Sequence, residues 1–176
     1  MRKKSKIIFM VIVCCIMLSG CSDYVKEGTE ALKAEDYEQA QQLFEEAVEK
    51  DKNPGEAHAG LGICYWEAAD YENALKELES AIEAGAEGNA PMYNMMGASA
   101  LKTENFKKAA KYFRSGLEQE EMSEELKQEM SFNLIVAYEG TKDYDQASKS
   151  LDQYLENYPD DEKALKEKEF FDTQLK

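Results

Sequence analysis

Apolar and polar positions recur at helical spacing along almost the whole chain after residue 22. Apolar residues return every three or four positions, and the period-two alternation of a half-buried strand is hard to find. The 176 residues include only three prolines and ten glycines, which leaves little room for long loops. The pattern therefore predicts an all-α protein made of short helices joined by tight turns.

One five-residue phrase occurs four times in the chain. It consists of Asp or Asn, an aromatic residue, two polar residues and an alanine. The copies are Asp36–Ala40, Asp70–Ala74, Asn105–Ala109 and Asp143–Ala147. Their alanines are separated by 34, 35 and 38 residues, so the chain is an internal repeat with a period near 34.

The phrase predicts the start of a helix. Asp or Asn is a good N-cap residue, and Gln39 and Gln146 stand where a capping box places its second member. A bulky residue lies four positions after each alanine. The residue seven positions after the alanine is small in three of the repeats and is Tyr154 in the fourth. The bulky set is Phe44, Leu78, Phe113 and Leu151. Gly28, Gly62 and Gly97 precede their alanines by twelve, so each unit reads as two helices in close contact.

This period, spacing and turn resemble those of tetratricopeptide repeats. The resemblance implies a helical-hairpin solenoid of about four repeats, at 22–54, 55–88, 89–122 and 123–159. Residues 160–176 are then a C-terminal capping helix, with Ala164, Leu165 and Phe171 available to cover the end of the stack.

Some positions depart from the family pattern. Ile135 stands where the other repeats have glycine, and extra residues near Ser123 predict a longer first helix in the fourth repeat. Asn53 and Asn89, each shortly before a proline, are predicted to cap the first helices of the second and third repeats.

The first twenty residues have the features of an export signal. A basic start precedes the apolar run Ile7–Leu18, whose twelve residues are too few for a membrane span of about 20. The sequence Leu18-Ser19-Gly20-Cys21 resembles the lipobox of bacterial lipoproteins. That resemblance implies removal of residues 1–20 and a diacylglyceryl lipid on Cys21. The alternative is an ordinary signal peptide with a chance cysteine.

The lipobox resemblance also predicts location. The protein is expected on the outer face of the cell membrane, or at the outer membrane if the cell has two. Removal of residues 1–20 would leave 17 basic and 36 acidic residues, a net charge of -19 instead of -15. With Cys21 acylated, only Cys64 would remain, so no intrachain disulfide is expected.

The negative charge argues against nucleic acid as a partner, because phosphate binding needs clustered Lys and Arg. The acidity either keeps the surface solvated or serves a basic partner. The single histidine, His58, and Cys64 lie six residues apart and do not share a helix face. With no metal-ligand cluster and no nucleophile motif, the sequence predicts no metal, no catalytic residue and no cofactor besides the lipid.

In tetratricopeptide proteins the first helix of each repeat lines a concave groove, so the resemblance implies a partner site there. Helical phase assigns to this groove Val25, Thr29, Ile63, Trp66, Glu67, Asn94, Leu101, Lys102, Phe132 and Val136. Trp66 is either the main contact for the partner or part of the core between repeats. Asn94 either binds the backbone of a peptide or is a local cap or a solvated amide.

The expected function is a non-catalytic scaffold for protein–protein interaction, anchored to a membrane, in an envelope or surface complex. The ligand is expected to be a protein or peptide in the groove. The alternative is a lipoprotein that binds a peptide or small ligand and delivers it to a membrane transporter.

Overall fold

The computed structural model describes residues 23–174, which are all helix and short connections, without strands. The helices of this part are α1 (Tyr24–Lys33), α2 (Tyr37–Glu49), α3 (Pro54–Glu67), α4 (Tyr71–Glu83), α5 (Ala90–Lys102), α6 (Phe106–Leu117), α7 (Glu124–Gly140), α8 (Tyr144–Asn157) and α9 (Glu162–Gln174). The predicted all-α class is confirmed. The export signal and Cys21 lie outside the described residues.

The helices form four hairpins that stack in chain order. The hairpins are α1–α2, α3–α4, α5–α6 and α7–α8, and each second helix also packs against the first helix of the next hairpin. The helix α9 packs against α8 in the place where a fifth hairpin would begin. At 17 residues α7 is the longest helix described, as predicted for the fourth repeat. The predicted helical-hairpin solenoid is confirmed.

Every hairpin turns in the same way. A residue in the left-handed region, with φ between 56° and 61°, ends the first helix; these residues are Glu35, Ala69, Glu104 and Lys142. The following Asp or Asn then caps the second helix. In the second hairpin the Asp70 N–H donates to the carbonyl of Tyr65 at 2.9 Å, and Oδ1 of Asp70 accepts from Asn73 N at 3.2 Å. The predicted caps of the second helices are confirmed.

The two asparagines that precede first helices behave differently. The side chain of Asn89 accepts from Met92 N at 2.9 Å and caps α5 as predicted. Asn53 adopts a left-handed φ of 46° and its side chain makes no capping bond. Asn53 is the N-cap residue of α3 and Pro54 lies in the first turn, as predicted, but the expected side-chain cap is not formed, because this backbone differs from the extended one that places the side chain of Asn89 over its helix end.

The repeated glycines lie where the two helices of a hairpin approach most closely. A Cβ on Gly28 would lie 2.9 Å from Cε1 of Phe44, and one on Gly62 would lie 2.6 Å from Cδ2 of Leu78. The bulky residue fills the space that the missing side chain leaves. In the fourth hairpin Ile135 takes the glycine position and is itself fully buried.

The aromatic residue after each turn joins one hairpin to the next. Phe106 lies against Gly140 of α7, where an added methyl group would overlap its ring. The rings of Tyr144 and Phe171 lie 6.4 Å apart between α8 and α9. The phrase that begins each second helix thus also positions the following first helix.

The closing helix α9 covers the end of the stack with two of the three side chains predicted for it. Ala164 and Phe171 are buried, whereas Leu165 is 47% exposed. The prediction for Leu165 is wrong because Ala164 and Phe171, two turns apart, already define the face that packs inward. Asp161 begins α9 by accepting from Ala164 N at 3.1 Å, and it accepts a 2.6 Å hydrogen bond from the Tyr154 hydroxyl.

Candidate functional site

The first helices of the hairpins lie side by side and expose one continuous surface. Nδ2 of Asn94 on α5 donates to Oε1 of Glu129 on α7 at 3.0 Å. Nζ of Lys163 on α9 lies 4.2 Å from the ring centre of Phe132 on α7. We name the solvent-facing side of α1, α3, α5, α7 and α9 the first-helix face. The closing helix belongs to it, which extends the surface beyond the four repeats.

Trp66 lies on the first-helix face at the C-terminal end of α3. Its ring meets the edge of Tyr71 at a centroid distance of 5.1 Å, and the side chain is only partly buried. Nζ of Lys102, from the next hairpin, lies 5.9 Å from the Tyr71 ring centre. The structure therefore brings Trp66 and Lys102 together around an aromatic residue that helical phase alone did not select. Glu67 is exposed beside them.

A cleft of about 550 Å³ opens at the other end of α3. It is lined by Asn53, Pro54, Gly55, Glu56, Ala59, the connection 84–87 and Met92. Glu56 and Ala59 lie on the same stripe of α3 as Ile63 and Trp66, at intervals of three and four residues. The cleft therefore continues into the half-buried surface of Ile63 and Trp66. The connection from α4 to α5 forms its wall, and no sequence motif marked that wall.

Asn94 is held between two hairpins. Its Nδ2 donates to Glu129, while its Oδ1 is buried and accepts no hydrogen bond within the described residues. The amide thus joins α5 to α7 through its nitrogen. This contact between two helices is neither a local cap nor a solvated amide, and the carbonyl oxygen retains its capacity to accept.

Several other residues assigned to the groove contribute mainly to packing. Val25 is buried in the cluster around Phe44, and the Thr29 hydroxyl donates to the Val25 carbonyl at 2.8 Å. Phe132 packs on Tyr154 with the ring centres 5.6 Å apart. Leu101 and Val136 are partly buried. The accessible part of the assigned set therefore centres on Ile63, Trp66, Glu67 and Lys102.

A pair of carboxyl groups lies where α7 meets α9. Burial, with a further contribution from the nearby Glu167, raises the pKa of Glu139 to about 7. Oε1 of Glu139 is buried and has no hydrogen-bond partner within the described part. Phe170, one turn beyond Glu167 on α9, is 51% exposed. Applying helical phase to α9 as a fifth first helix would have assigned Lys163, Glu167 and Phe170 to this face.

The residues considered for catalysis are separated from one another. Nδ1 of His58 contacts Oε2 of Glu77 at 2.7 Å. The Cys64 thiol is buried, and burial raises its pKa to about 11. Over residues 23–174, no group of three or more His, Cys, Asp and Glu side chains is arranged to hold a metal ion. In the same part of the chain no helix is long and apolar enough to cross a membrane.

Comparison with known families agrees with the geometry of the stack. Two family models, each described as tetratricopeptide repeat, match residues 31–98 and 94–162. This chain is built of tetratricopeptide repeats. A relative described as TPR repeat-containing protein YsoA, from Bacillus subtilis (strain 168), is 33% identical over 61 residues. That match covers 35% of this chain but only 18% of YsoA.

Solved structures share the tetratricopeptide fold at low sequence identity. A structure of MamA from residue 41 to the end, from Desulfovibrio magneticus RS-1, matches with a TM-score of 0.68 and 17% identity, covering 88% of this chain and 86% of the solved one. YrrB, described as a TPR protein with an unusual peptide-binding site, matches with a TM-score of 0.56 and 22% identity. The match covers 83% of this chain and 90% of YrrB. These likenesses establish the fold.

Proposed function

We propose that this tetratricopeptide protein is a non-catalytic interaction scaffold, anchored to a membrane by a lipid on Cys21, whose first-helix face binds a segment of another protein. The observation that carries the proposal is the stripe on α3, where Glu56, Ala59, Ile63 and Trp66 lead from the 550 Å³ cleft at one end of the helix to the ring of Tyr71 at the other. Partly buried apolar side chains beside a cleft suit an extended or helical segment.

The charges around this stripe favour a basic segment. Glu56 and Glu87 line the cleft and Glu67 is exposed next to Trp66. None of the three forms an ion pair within the described residues. A Lys or Arg of the partner could lay its aliphatic part on Met92 or Trp66 and place its charge near these carboxylates. The peptide-binding site ascribed to YrrB, which has the same fold, supports a peptide ligand.

The anchor rests on the lipobox-like Leu18–Cys21 and on the apolar run before it. Two acyl chains hold a protein stably at a membrane, whereas one chain alone is marginal. We expect Cys21→Ala to move the exported protein from the membrane fraction to the soluble fraction. A variant that stays fully membrane-bound after export would contradict the lipid anchor without affecting the scaffold proposal.

The interaction is tested by crosslinking and purification from native membranes, with the full chain as bait. The test variant combines Trp66→Ala and Met92→Ala, which remove apolar surface from the C-terminal end of α3 and from the cleft. The matched control combines Gln42→Ala and Gln153→Ala, exposed positions on second helices. Thermal melts followed by circular dichroism show that both variants are folded.

We expect the wild type and the control to capture the same partner and the Trp66→Ala, Met92→Ala variant to lose it. Equal capture by all three would exclude the first-helix face as the site. A chain that captures no protein but is stabilised by a peptide or small molecule in a thermal-shift screen would support the transporter-delivery alternative.

A further inference from the structure

The helix α6 carries a stripe of positive charge on the side of the stack opposite the first-helix face. Lys107, Lys111 and Arg114 lie at intervals of four and three residues, and all three are exposed. The buried residues of α6, among them Ala109 and Phe113, face the other way. None of the three basic side chains forms an ion pair within residues 23–174. We name Lys107, Lys111 and Arg114 the basic stripe.

Two of the three positions of the basic stripe are basic only in the third hairpin, whereas the position of Lys111 is also basic in α4 and α8, as Lys76 and Lys149. At the position of Lys107 the other second helices carry Glu38, Glu72 and Asp145, and at the position of Arg114 they carry Glu45, Glu79 and Asp152. The twelve residues of α6 contain four basic side chains and no acidic one, in a chain of net charge -15. Neutral polar side chains would suffice to keep this helix solvated, so the reversal of charge needs another explanation.

A groove of about 430 Å³ lies beside the basic stripe, between α4 and α6. Ile82, Tyr93, Met96 and Tyr112 line it, and Lys111 stands at its edge. Burial alone would raise the pKa of Glu79 in this groove, but hydrogen bonds from Lys108 and Tyr112 bring it below its ordinary value. The Glu79 carboxylate is therefore compensated mainly by Lys108 and Tyr112 and only to a smaller extent by Lys111, which leaves Lys107 and Arg114 uncompensated by it.

We propose that the basic stripe and this groove bind an acidic segment of a second partner protein. An apolar side chain of the segment enters the groove while its carboxylates face Lys107, Lys111 and Arg114. A rod-like segment fits better than a flat anionic surface, because α4 and α8, the second helices before and after α6, present Glu72, Glu83 and Asp152 to any flat surface laid across them. The scaffold would then hold a basic partner on one face and an acidic partner on the other.

The test uses the full chain purified in a non-ionic detergent and a fluorescein-labelled helical peptide. The peptide carries Glu at i, i+4 and i+7 and one Leu on the adjacent flank; a second peptide has Gln in place of each Glu. Fluorescence anisotropy at several salt concentrations gives the affinity and its dependence on salt. Inorganic polyphosphate is added as a competitor.

Two matched variants separate the basic stripe from overall charge. The stripe variant is Lys107→Gln, Lys111→Gln, Arg114→Gln. The control variant, Lys26→Gln, Lys52→Gln, Lys166→Gln, removes the same charge at exposed positions on α1, on the connection to α3 and on α9. We expect the stripe variant to bind the Glu peptide about five- to tenfold more weakly, with a shallower salt dependence, and the control to change by less than about twofold. Glu83→Gln, which removes a carboxylate from the groove, is expected to tighten binding.

Three results would overturn the proposal. The first is equal binding of the Glu and Gln peptides by the wild type, and the second is an equal loss of affinity in the stripe and control variants. The third is full displacement of the Glu peptide by polyphosphate when replacing its Leu by Ala does not change its affinity. The Trp66→Ala, Met92→Ala variant is expected to bind the Glu peptide like the wild type. Failure of this inference and failure of the first-helix face as a binding site are therefore distinguishable.

Discussion

Gly97 on α5 and Phe113 on α6 share one contact point, where a Cβ built on Gly97 would lie 2.6 Å from Cε1 of Phe113. The same relationship joins Gly62 to Leu78 and Gly28 to Phe44. Phe113 is fully buried, so its ring has no free space into which it could move. The distance between the two helices of a hairpin is therefore set by a glycine and a bulky residue sixteen positions later.

This relationship predicts that Gly97→Ala destabilises the protein. The added methyl group forces a rigid ring to move, at a cost of about 1–3 kcal/mol, which exceeds the gain of about 1 kcal/mol from better helix propensity. Gly116→Ala is the comparison, because there the nearest atom is the terminal methyl of Met130, which is also fully buried but ends a flexible side chain in place of a rigid ring. Urea unfolding should show a larger loss for Gly97→Ala. The opposite order would mean that the Phe113 ring does not limit the helix separation.

The left-handed turn residues predict a stabilising substitution. Ala69 has φ of 57°, where a Cβ is unfavourable, and glycine adopts this conformation freely. We expect Ala69→Gly to raise the free energy of unfolding by about 0.5–1 kcal/mol. Ala68→Gly is the control: its φ of -76° suits alanine, so glycine there should destabilise. Thermal melts of both variants check the prediction, which fails if the two substitutions act in the same direction.

The periodic features of the fold could be predicted because the same residue types recur at the same positions in each repeat. The phrase Asp70–Ala74 gives the start of α4, and Gly62 and Leu78 give the contact between the two helices of the hairpin. Asn53 shows the limit of this reasoning, because its left-handed backbone depends on how α2 ends and not on its own residue type. Leu165 shows a second limit, because the packing of α9 on α8 determines which face of α9 is buried.

The candidate site was predictable only in outline. Helical phase placed Trp66 and Lys102 on one face, but the ring of Tyr71 that joins them comes from the hairpin turn. Phase also does not distinguish an accessible side chain from one covered by a neighbouring helix, which is why Phe132 was assigned to the groove although it packs on Tyr154. The cleft beside α3 depends on the path of the connection 84–87, which carries no repeat motif.

The junction of α8 and α9 predicts a measurable loss in Tyr154→Phe. The Tyr154 hydroxyl donates to Asp161 at 2.6 Å and accepts from Nε2 of Gln128 at 3.0 Å, and both bonds would be lost. We expect the free energy of unfolding to fall by about 1–2 kcal/mol. The hydrogen bond from Tyr154 is the largest cause that lowers the pKa of Asp161, so that pKa should rise in the variant when followed by NMR.

Tyr158→Phe is the control for this substitution. The Tyr158 hydroxyl makes only a long contact, 3.4 Å, to the exposed Glu124. Its loss should change stability by less than about 0.5 kcal/mol. Equal effects of the two substitutions would show that the hydrogen bond from Tyr154 to Asp161 does not hold α9 in place.

The carboxyl pair between α7 and α9 predicts a stability that depends on pH. Burial, followed by the charge of Glu167, raises the pKa of Glu139 from an ordinary 4.5 to about 7, while Lys163 opposes the shift. Between these two pH values the folded chain keeps a proton on Glu139 that the unfolded chain has released. Raising the pH through this window therefore favours unfolding, and the penalty is complete above about pH 7.

Glu139→Gln should remove this dependence, because the amide needs no proton to be uncharged beside Glu167. We expect the variant to melt about 2–5 °C above the wild type at pH 8, with the difference shrinking as the pH falls and vanishing only below pH 4.5, where Glu139 becomes protonated in both states. Glu169→Gln, an exposed carboxylate on α9, removes the same charge and should show no such trend. In the wild type, hydrogen exchange of the α9 backbone amides should accelerate with pH more than the intrinsic exchange rate does. In Glu139→Gln, exchange in α9 should follow the intrinsic rate. A difference in melting temperature that stays constant from pH 4.5 to 8 would show that folding does not raise the pKa of Glu139.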